Sequence, residues 1–470
     1  MIVGREKELA LLQKAVGDDY SHFIAIYGRR RVGKTFLVRE AFGYRFTFQH
    51  AGLSGGNLKE QLYGFESSIR DAGGTASNPK NWLEAFEDLK ELIRASKEER
   101  KIIFIDELSW MDTQNSDLLL ALESFWNGWA SAKRDIVLII CASATSWMLK
   151  KVIHNKGGLY NRLTERIGLE TFNLAECERY AQTKGIHFTR NQILQYYMIF
   201  GGVPYYWSFL KKGLSFSQTI DEVVFGKDAP LKDEFRYLYA SIFRHPQVYI
   251  QLIKALSTKK VGMTREELIK NANIANSGDL TKKLEELESC GFIRKYTAFG
   301  KEKKNAVYQL IDCFTLFYYQ FMEKEPNDEH FWSHQINTPG INTWMGLAFE
   351  RVVLRHITEI KKSLGISGIY TEVNSCYIPA DKEKGIRGAQ IDLLIVRKDQ
   401  VINLCEMKYA NTEYEVTAKD DESIRIKTDS LIKSTKTKYA IYPTLVTTYG
   451  VVDGVYANDL QSVVTLNDLF

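Results

Sequence analysis

One short stretch constrains the fold more than any other. The apolar run Phe23-Ile24-Ala25-Ile26-Tyr27 passes directly into Gly-Arg-Arg-Arg-Val-Gly-Lys-Thr over residues 28–35, and Phe36-Leu37-Val38-Arg39-Glu40-Ala41 follows with the composition of a helix. A complete G-x-x-x-x-G-K-T loop between a strand and a helix N-terminus aims backbone N–H groups at phosphate oxygens. On this reading Gly28 and Gly33 allow close backbone approach, and Lys34 brings its ammonium to the β- and γ-phosphates. The Thr35 hydroxyl is expected to ligate Mg2+, which makes Mg-ATP the expected ligand.

Downstream, Lys101-Ile102-Ile103-Phe104-Ile105 is an apolar strand ending in Asp106-Glu107. Two carboxylates at the end of a buried strand suit a parallel-sheet nucleotide site. Asp106 is expected to hold magnesium through water, and Glu107 to orient or deprotonate the attacking water. A further apolar strand, Asp135 to Cys141, runs into Ala142-Ser143-Ala144-Thr145-Ser146-Trp147. There a hydroxyl of Ser143 or Thr145 either senses the γ-phosphate at the sheet's carboxyl edge or caps the next helix.

These motifs, with Gly4-Arg5-Glu6-x-Glu8-Leu9 at the start and Gly201-Gly202-Val203-Pro204 further on, resemble the archaeal-type ATPases of the AAA+/STAND superclass over roughly the first half of the chain. The resemblance implies that Gly4, Arg5 and Glu6 lie near the base and that the G-G-x-P turn belongs to a helical lid. It also implies that Arg162 is a candidate arginine finger acting in trans. Arg166 is a neighbouring alternative, and a surface arginine at a helix end is another. Arg29, Arg30 and Arg31 are expected to point away from backbone-bound phosphates, toward a partner or another subunit.

With 470 residues the chain is long enough for several domains, and 45% hydrophobic with 26% charged residues is the composition of a globular protein. A net charge of +4 gives no global attraction to polyanions, so any DNA or RNA contact must come from local patches. The six cysteines are scattered without a C-x-x-C pair, which suggests neither a disulfide framework nor a thiolate zinc site and leads us to expect a reducing, cytoplasmic setting. The longest apolar run, around Ile136 to Ala142, is too short to span a bilayer, so no membrane partner is expected.

Residues 174–243 carry aromatics at helical spacing, which read as core. From about Tyr249 to Leu310 the pattern becomes helix, turn, helix, strands, which is winged-helix grammar. Its third helix carries Lys282 and Lys283, and its wing carries Arg294, Lys295, Lys301, Lys303 and Lys304. These either lie on DNA or belong to an intramolecular connector, since Glu285, Glu286 and Glu288 acidify the same helix.

A second chemical site begins at Glu406-Met407-Lys408, after the apolar run from Val401. Positions two apart share one face of a strand, so Glu406 and Lys408 converge. Asp392 on a neighbouring strand and Glu350 on a preceding helix are expected to complete an oxygen cage for Mg2+ or Mn2+, with Lys408 activating a water. This D…E-x-K order looks like the PD-(D/E)xK nuclease fold and resembles the C-terminal domain of the same ATPase family, although Ile391 stands where many members have proline. The alternatives are a solvated strand face and an inactive nuclease-like binding module.

The expected architecture is α/β: a P-loop ATPase core over 1–170, a helical lid over 171–243, a winged helix over 244–315, a linker over 316–343 and a restriction-endonuclease-like domain over 344–470. The expected function is an ATPase whose nucleotide state controls a metal-dependent nuclease-like domain acting on DNA or RNA. The rival is a nucleotide-dependent signalling switch without cleavage. Homo-oligomers or a regulatory protein are the expected partners.

Overall fold

The computed structural model describes residues 2–243, 245–297, 299–300 and 306–470. The wing lysines Lys301, Lys303 and Lys304 lie outside the described residues. The chain divides into two compact units, Met1–Thr171 with Tyr237–Pro246, and Phe172–Arg236 with Gln247–Phe470.

The first unit is built on five strands: β1 (His22–Tyr27), β2 (Phe48–Ala51), β3 (Lys101–Asp106), β4 (Ile136–Ala142) and β5 (Glu165–Gly168). Their order is β2-β3-β4-β1-β5, and every neighbouring pair is parallel. A parallel sheet needs cover on both faces, and the side-chain period of two divides β1 accordingly. Phe23 and Ala25 join a core with Phe65, Trp82, Phe86 and Phe125 from helices on one face. Ile24 and Ile26 join Leu12, Leu37, Val38 and Ile139 on the other. The β4 strand is buried at all seven positions, as the central strand must be. A capping box between Asn57 and Glu60 starts the helix Leu58–Asp71, and the Asn81 side chain caps Trp82–Ala95, each cap contributing about 1 kcal/mol.

The second unit opens with helices that include Leu174–Thr183 and Arg190–Phe200, so the segment expected as a lid falls within this unit from Phe172 to Arg236. Next come the helices Pro246–Ser257, Arg265–Ala272 and Gly278–Ser289 with a small antiparallel sheet of order β6-β8-β7, formed by β6 (Met263–Thr264), β7 (Ile293–Tyr296) and β8 (Val307–Leu310). Thr264 and Glu267 form the expected capping box.

Residues 316–343 are not a spacer. Phe317 and Trp332 are buried there, and their rings pack against Phe321 and Trp344 with centroids 5.2–5.8 Å apart. The aromatic content that disqualifies this stretch as a linker is the reason it folds.

The final sheet has the order β13-β12-β11-β10-β9, from β9 (Thr371–Ile378), β10 (Ala389–Arg397), β11 (Val401–Lys408), β12 (Ala440–Thr447) and β13 (Ser462–Val464). It is antiparallel from β9 to β11 and parallel from β11 to β13, the change being made possible by the crossover helix Ala418–Thr435. The helix Pro339–Arg355 packs on β11. Among the described residues no helix is long and apolar enough to cross a membrane. All six cysteines are buried.

Candidate functional site

At the carboxyl end of β1 the chain must turn beside the backbone at Leu169. A Cβ on Gly28, whose φ is +148°, would stand 2.3 Å from the Leu169 carbonyl oxygen, so only glycine fits. Gly33, in the left-handed region at φ +90°, is the N-cap of the helix Lys34–Ala41. Lys34 is buried, and its Nζ donates to the carbonyls of Gly28 at 2.9 Å and Arg29 at 3.1 Å and to Ser143 Oγ at 3.0 Å. Three acceptors hold the ammonium over the loop to which it belongs.

Thr35 Oγ1 donates to Asp106 Oδ2 at 2.5 Å. A hydroxyl and a carboxylate so close, at the start of a helix, are the oxygen donor set that suits a divalent ion beside phosphates. The other Asp106 oxygen accepts from the Glu107 backbone N–H at 2.9 Å. That bond accompanies a left-handed backbone at Glu107, with φ 47° and ψ 43°, a conformation that costs a non-glycine residue about 1 kcal/mol or more. The turn carries the Glu107 carboxylate toward β4, where it accepts from the backbone N–H of Ser143 at 3.0 Å and from the Ser143 hydroxyl.

The strand order explains this meeting. Because β4 lies between β1 and β3, the residue just beyond its carboxyl end stands between the Gly28–Thr35 loop and the Asp106-Glu107 turn. Ser143 therefore accepts from Lys34 and donates to Glu107. Thr145 instead begins the short helix Thr145–Met148, so of the two candidate hydroxyls Ser143 is the one that reaches the site. The fields of these charges reach Cys141, whose thiol is pushed well up by burial and then by Asp106.

Other predicted residues fall at different places. Arg5 is buried, with Nη2 donating to the Glu170 carbonyl at 2.6 Å, which ties the N-terminal segment to the end of β5. Arg162 and its neighbour Arg166 are both exposed. Arg29 corrects the expectation for the three loop arginines: it is buried and cannot meet a partner, whereas Arg30 lies 5.9 Å from the Trp110 ring centroid.

In the second unit the structure brings Glu350 and Asp392 to one cation. Lys260 Nζ is 2.6 Å from Glu350 Oε1 and 4.0 Å from Asp392 Oδ2. Burial, and then Asp392, raise the Glu350 pKa, with Lys260 opposing. Asp392 sits where the β9–β10 register shifts between Ile391 and Leu394, and its Oδ1 accepts from Gln390 Nε2 at 2.7 Å. Glu406 and Lys408 do share a strand face, 3.7 Å apart. The β10–β11 register pairs Leu393 with Cys405, so Asp392 and Glu406 each lie one residue beyond that pair.

The expected metal cage is not assembled from these groups. Glu406 accepts from Lys427 Nζ, and Lys408 pairs with Asp420 at 3.0 Å. Burial alone would lower the Lys408 pKa, but the hydrogen bond to Asp420 and the charge of Glu406 raise it. Among the described residues no group of three or more His, Cys, Asp or Glu side chains is arranged to hold a metal ion. Sequence reasoning missed Lys260, Lys427 and Asp420. Only Asp420 left a trace, as the third helical residue after the cap Thr417.

The basic wing is also corrected. Arg294 faces inward, donating to Gln309 Oε1 and Ser375 Oγ at 2.6 Å each, and burial pulls its pKa down to about 10. Lys283 is paired with Asp279. Lys282 and Lys295 are exposed.

Residues 2–208 match the family of ATPase domains found predominantly in Archaea. An uncharacterised protein of Methanocaldococcus jannaschii is 26% identical over 417 residues, 87% of this chain and 88% of its own. An uncharacterised ATP-binding protein of the same organism is 42% identical over 40 residues, 8% of this chain and 68% of its own. Among solved structures, the Walker-type ATPase PABY2304 of Pyrococcus abyssi is 17% identical with a TM-score of 0.47, covering 67% of this chain and 95% of that one. The Aeropyrum pernix ORC2 protein is 13% identical with a TM-score of 0.42, covering 76% and 96%. Residues 2–208 thus match an ATPase domain, which supports the binding of ATP by this chain.

Proposed function

We propose that the protein hydrolyses ATP and that its nucleotide state controls a C-terminal nuclease-like domain acting on DNA or RNA. The observation that carries hydrolysis is the Lys34–Ser143–Glu107 chain, which joins the phosphate-facing ammonium to the candidate base through one hydroxyl. Thr35 and Asp106 would hold Mg2+, which when bound neutralises phosphate charge. Glu107 would take a proton from the attacking water, and release of its carboxylate from Ser143 would free it to do so. Exposed Arg162 would complete the site of a neighbouring subunit in a homo-oligomer.

Residues 244–315 serve as a winged helix and 344–470 as the nuclease-like domain. The sheet with antiparallel β9–β11 and parallel β11–β13, carrying Asp392, Glu406 and Lys408 on β10 and β11 and facing Glu350 on a helix, supports this reading. A second reading, a nucleotide-dependent switch whose last domain only binds, is favoured by Lys260 and Lys427 on the carboxylates.

The test compares wild type with Glu107→Gln, Asp392→Asn and Glu406→Ala. ATP turnover is measured first, then cleavage of several DNA and RNA substrates with Mg2+ or Mn2+, with and without ATP. Turnover lost in Glu107→Gln, with ATP-dependent cleavage lost in the other two, supports the proposal. Turnover without cleavage under any condition supports the switch.

A further inference from the structure

Lys260 lies in the turn between the helix Pro246–Ser257 and β6, 90 residues before Glu350, yet its ammonium bridges the two carboxylates expected to bind a divalent ion. The turn is held from several directions. The Lys260 carbonyl accepts from Gln309 Nε2 at 2.7 Å and from Arg351 Nη2 at 2.6 Å. Gln309 in turn accepts from Arg294, whose other end donates to Ser375, and the Ser375 hydroxyl donates to the Asp392 carbonyl at 2.5 Å. The chain of bonds thus leaves Asp392 through its backbone and leads to Lys260, whose ammonium faces the Asp392 carboxylate at 4.0 Å. Gln309, Glu350 and Arg351 are all buried. A buried network whose members are mutually bonded fixes one geometry.

We propose that Lys260 is a built-in counter-cation for Glu350 and Asp392, which excludes a divalent ion from that pair until the turn holding Lys260 is displaced. The proposal rests on the nuclease-like reading of residues 344–470. A single ammonium hydrogen-bonds one carboxylate and neutralises part of the charge of both, whereas a divalent ion needs both as ligands, so the two occupants are mutually exclusive. Tethering favours the lysine, because a group held in the same chain meets its partner at an effective concentration of about millimolar or more. The ammonium also has somewhere to go. Lys260 lines a cavity of about 370 Å³ with Lys254, Tyr319, Trp344 and Arg351, in which Glu323 supplies the one lining carboxylate.

The lock is tested by titrating the nucleotide-free, full-length protein with Mn2+ and following the free-ion signal by electron paramagnetic resonance. Lys260→Met and Lys260→Gln are expected to bind Mn2+ at least about tenfold more tightly than wild type, because the closed population no longer competes. Adding Asp392→Asn is expected to remove that binding, and Lys260→Arg, which keeps a cation there, to behave as wild type. Circular dichroism melts identify a variant that has lost its fold, and two neutral replacements make it unnecessary to depend on either. Asp392-dependent Mn2+ binding of equal affinity in wild type and both neutral variants overturns the lock and leaves the nuclease-like reading standing. Absence of Asp392-dependent binding in every variant overturns both.

Discussion

Ser143 holds Glu107 by two hydrogen bonds, one from its backbone N–H at 3.0 Å and one from its hydroxyl, while the same hydroxyl accepts from Lys34. The residue beyond β4 thereby links the two halves of the nucleotide site. Ser143→Ala keeps the backbone bond and loses the side-chain one. Its kcat for ATP is expected to fall about tenfold to hundredfold, at or below the lower end of what a positioned base contributes. Nucleotide affinity should change by less than about threefold. Phosphate release and fluorescent-nucleotide titration measure the two; an equal loss in both would assign Ser143 to binding instead.

Lys34 is held over its own loop by the Gly28 and Arg29 carbonyls and the Ser143 hydroxyl, which keeps its charge where a P-loop binds phosphates. With Mg-ATP at a hundred times the dissociation constant, binding stabilises the folded protein by about 2.7 kcal/mol. Lys34→Ala is expected to abolish the corresponding rise in thermal midpoint. A midpoint that still rises with Mg-ATP would show that the affinity resides elsewhere in the loop.

Gly28 admits no side chain, because its Cβ would meet a backbone oxygen rather than a movable group. Gly28→Ala should destabilise the first unit by about 1–3 kcal/mol and weaken ATP binding as the loop shifts from Leu169. Urea denaturation monitored by circular dichroism checks the first effect, and nucleotide titration the second. Unchanged stability would mean that the 169 backbone yields easily.

His356 supplies a pH signature for the second unit. It is fully buried, Nδ1 faces the Val352 carbonyl at 2.7 Å and Nε2 accepts from the Leu174 N–H at 3.2 Å, an arrangement that requires the neutral ring. Burial draws its pKa down from 6.5 to about 4. The unfolded chain binds this proton first, so stability is full above about pH 6.5, declines as pH falls, and has lost the whole contribution below about pH 4. The loss is about 3 kcal/mol for this one group. Urea midpoints between pH 7.5 and 4.5 should fall less steeply in His356→Asn than in wild type, and parallel slopes would rule this out.

Much of the first site was legible because it is local. A strand, a glycine loop and a helix are contiguous in the chain, so the order of Gly28, Gly33, Lys34 and Thr35 already specifies a phosphate-facing turn. The capping box at Thr264 and the shared face of Glu406 and Lys408 were readable for the same reason, since helix starts and strand alternation depend on neighbours a few residues apart. The stretch 316–343 was misread because its aromatics follow no simple period, and their partners are distant in sequence.

By itself, then, the sequence determined the P-loop, the carboxylates after β3 and the candidate acidic residues of the last sheet. Tertiary structure alone decided what those groups touch. Placing β4 between β1 and β3 made Ser143, rather than Thr145, the partner of both Lys34 and Glu107. Packing of the β6 turn against the helix Pro339–Arg355 put Lys260 on Glu350, and turned Arg294 from a surface cation into a half-buried tie to Ser375. Ion pairs across a fold depend on which elements meet, and strand order and helix docking are set by burying apolar faces, with no local code for the charged residues brought together.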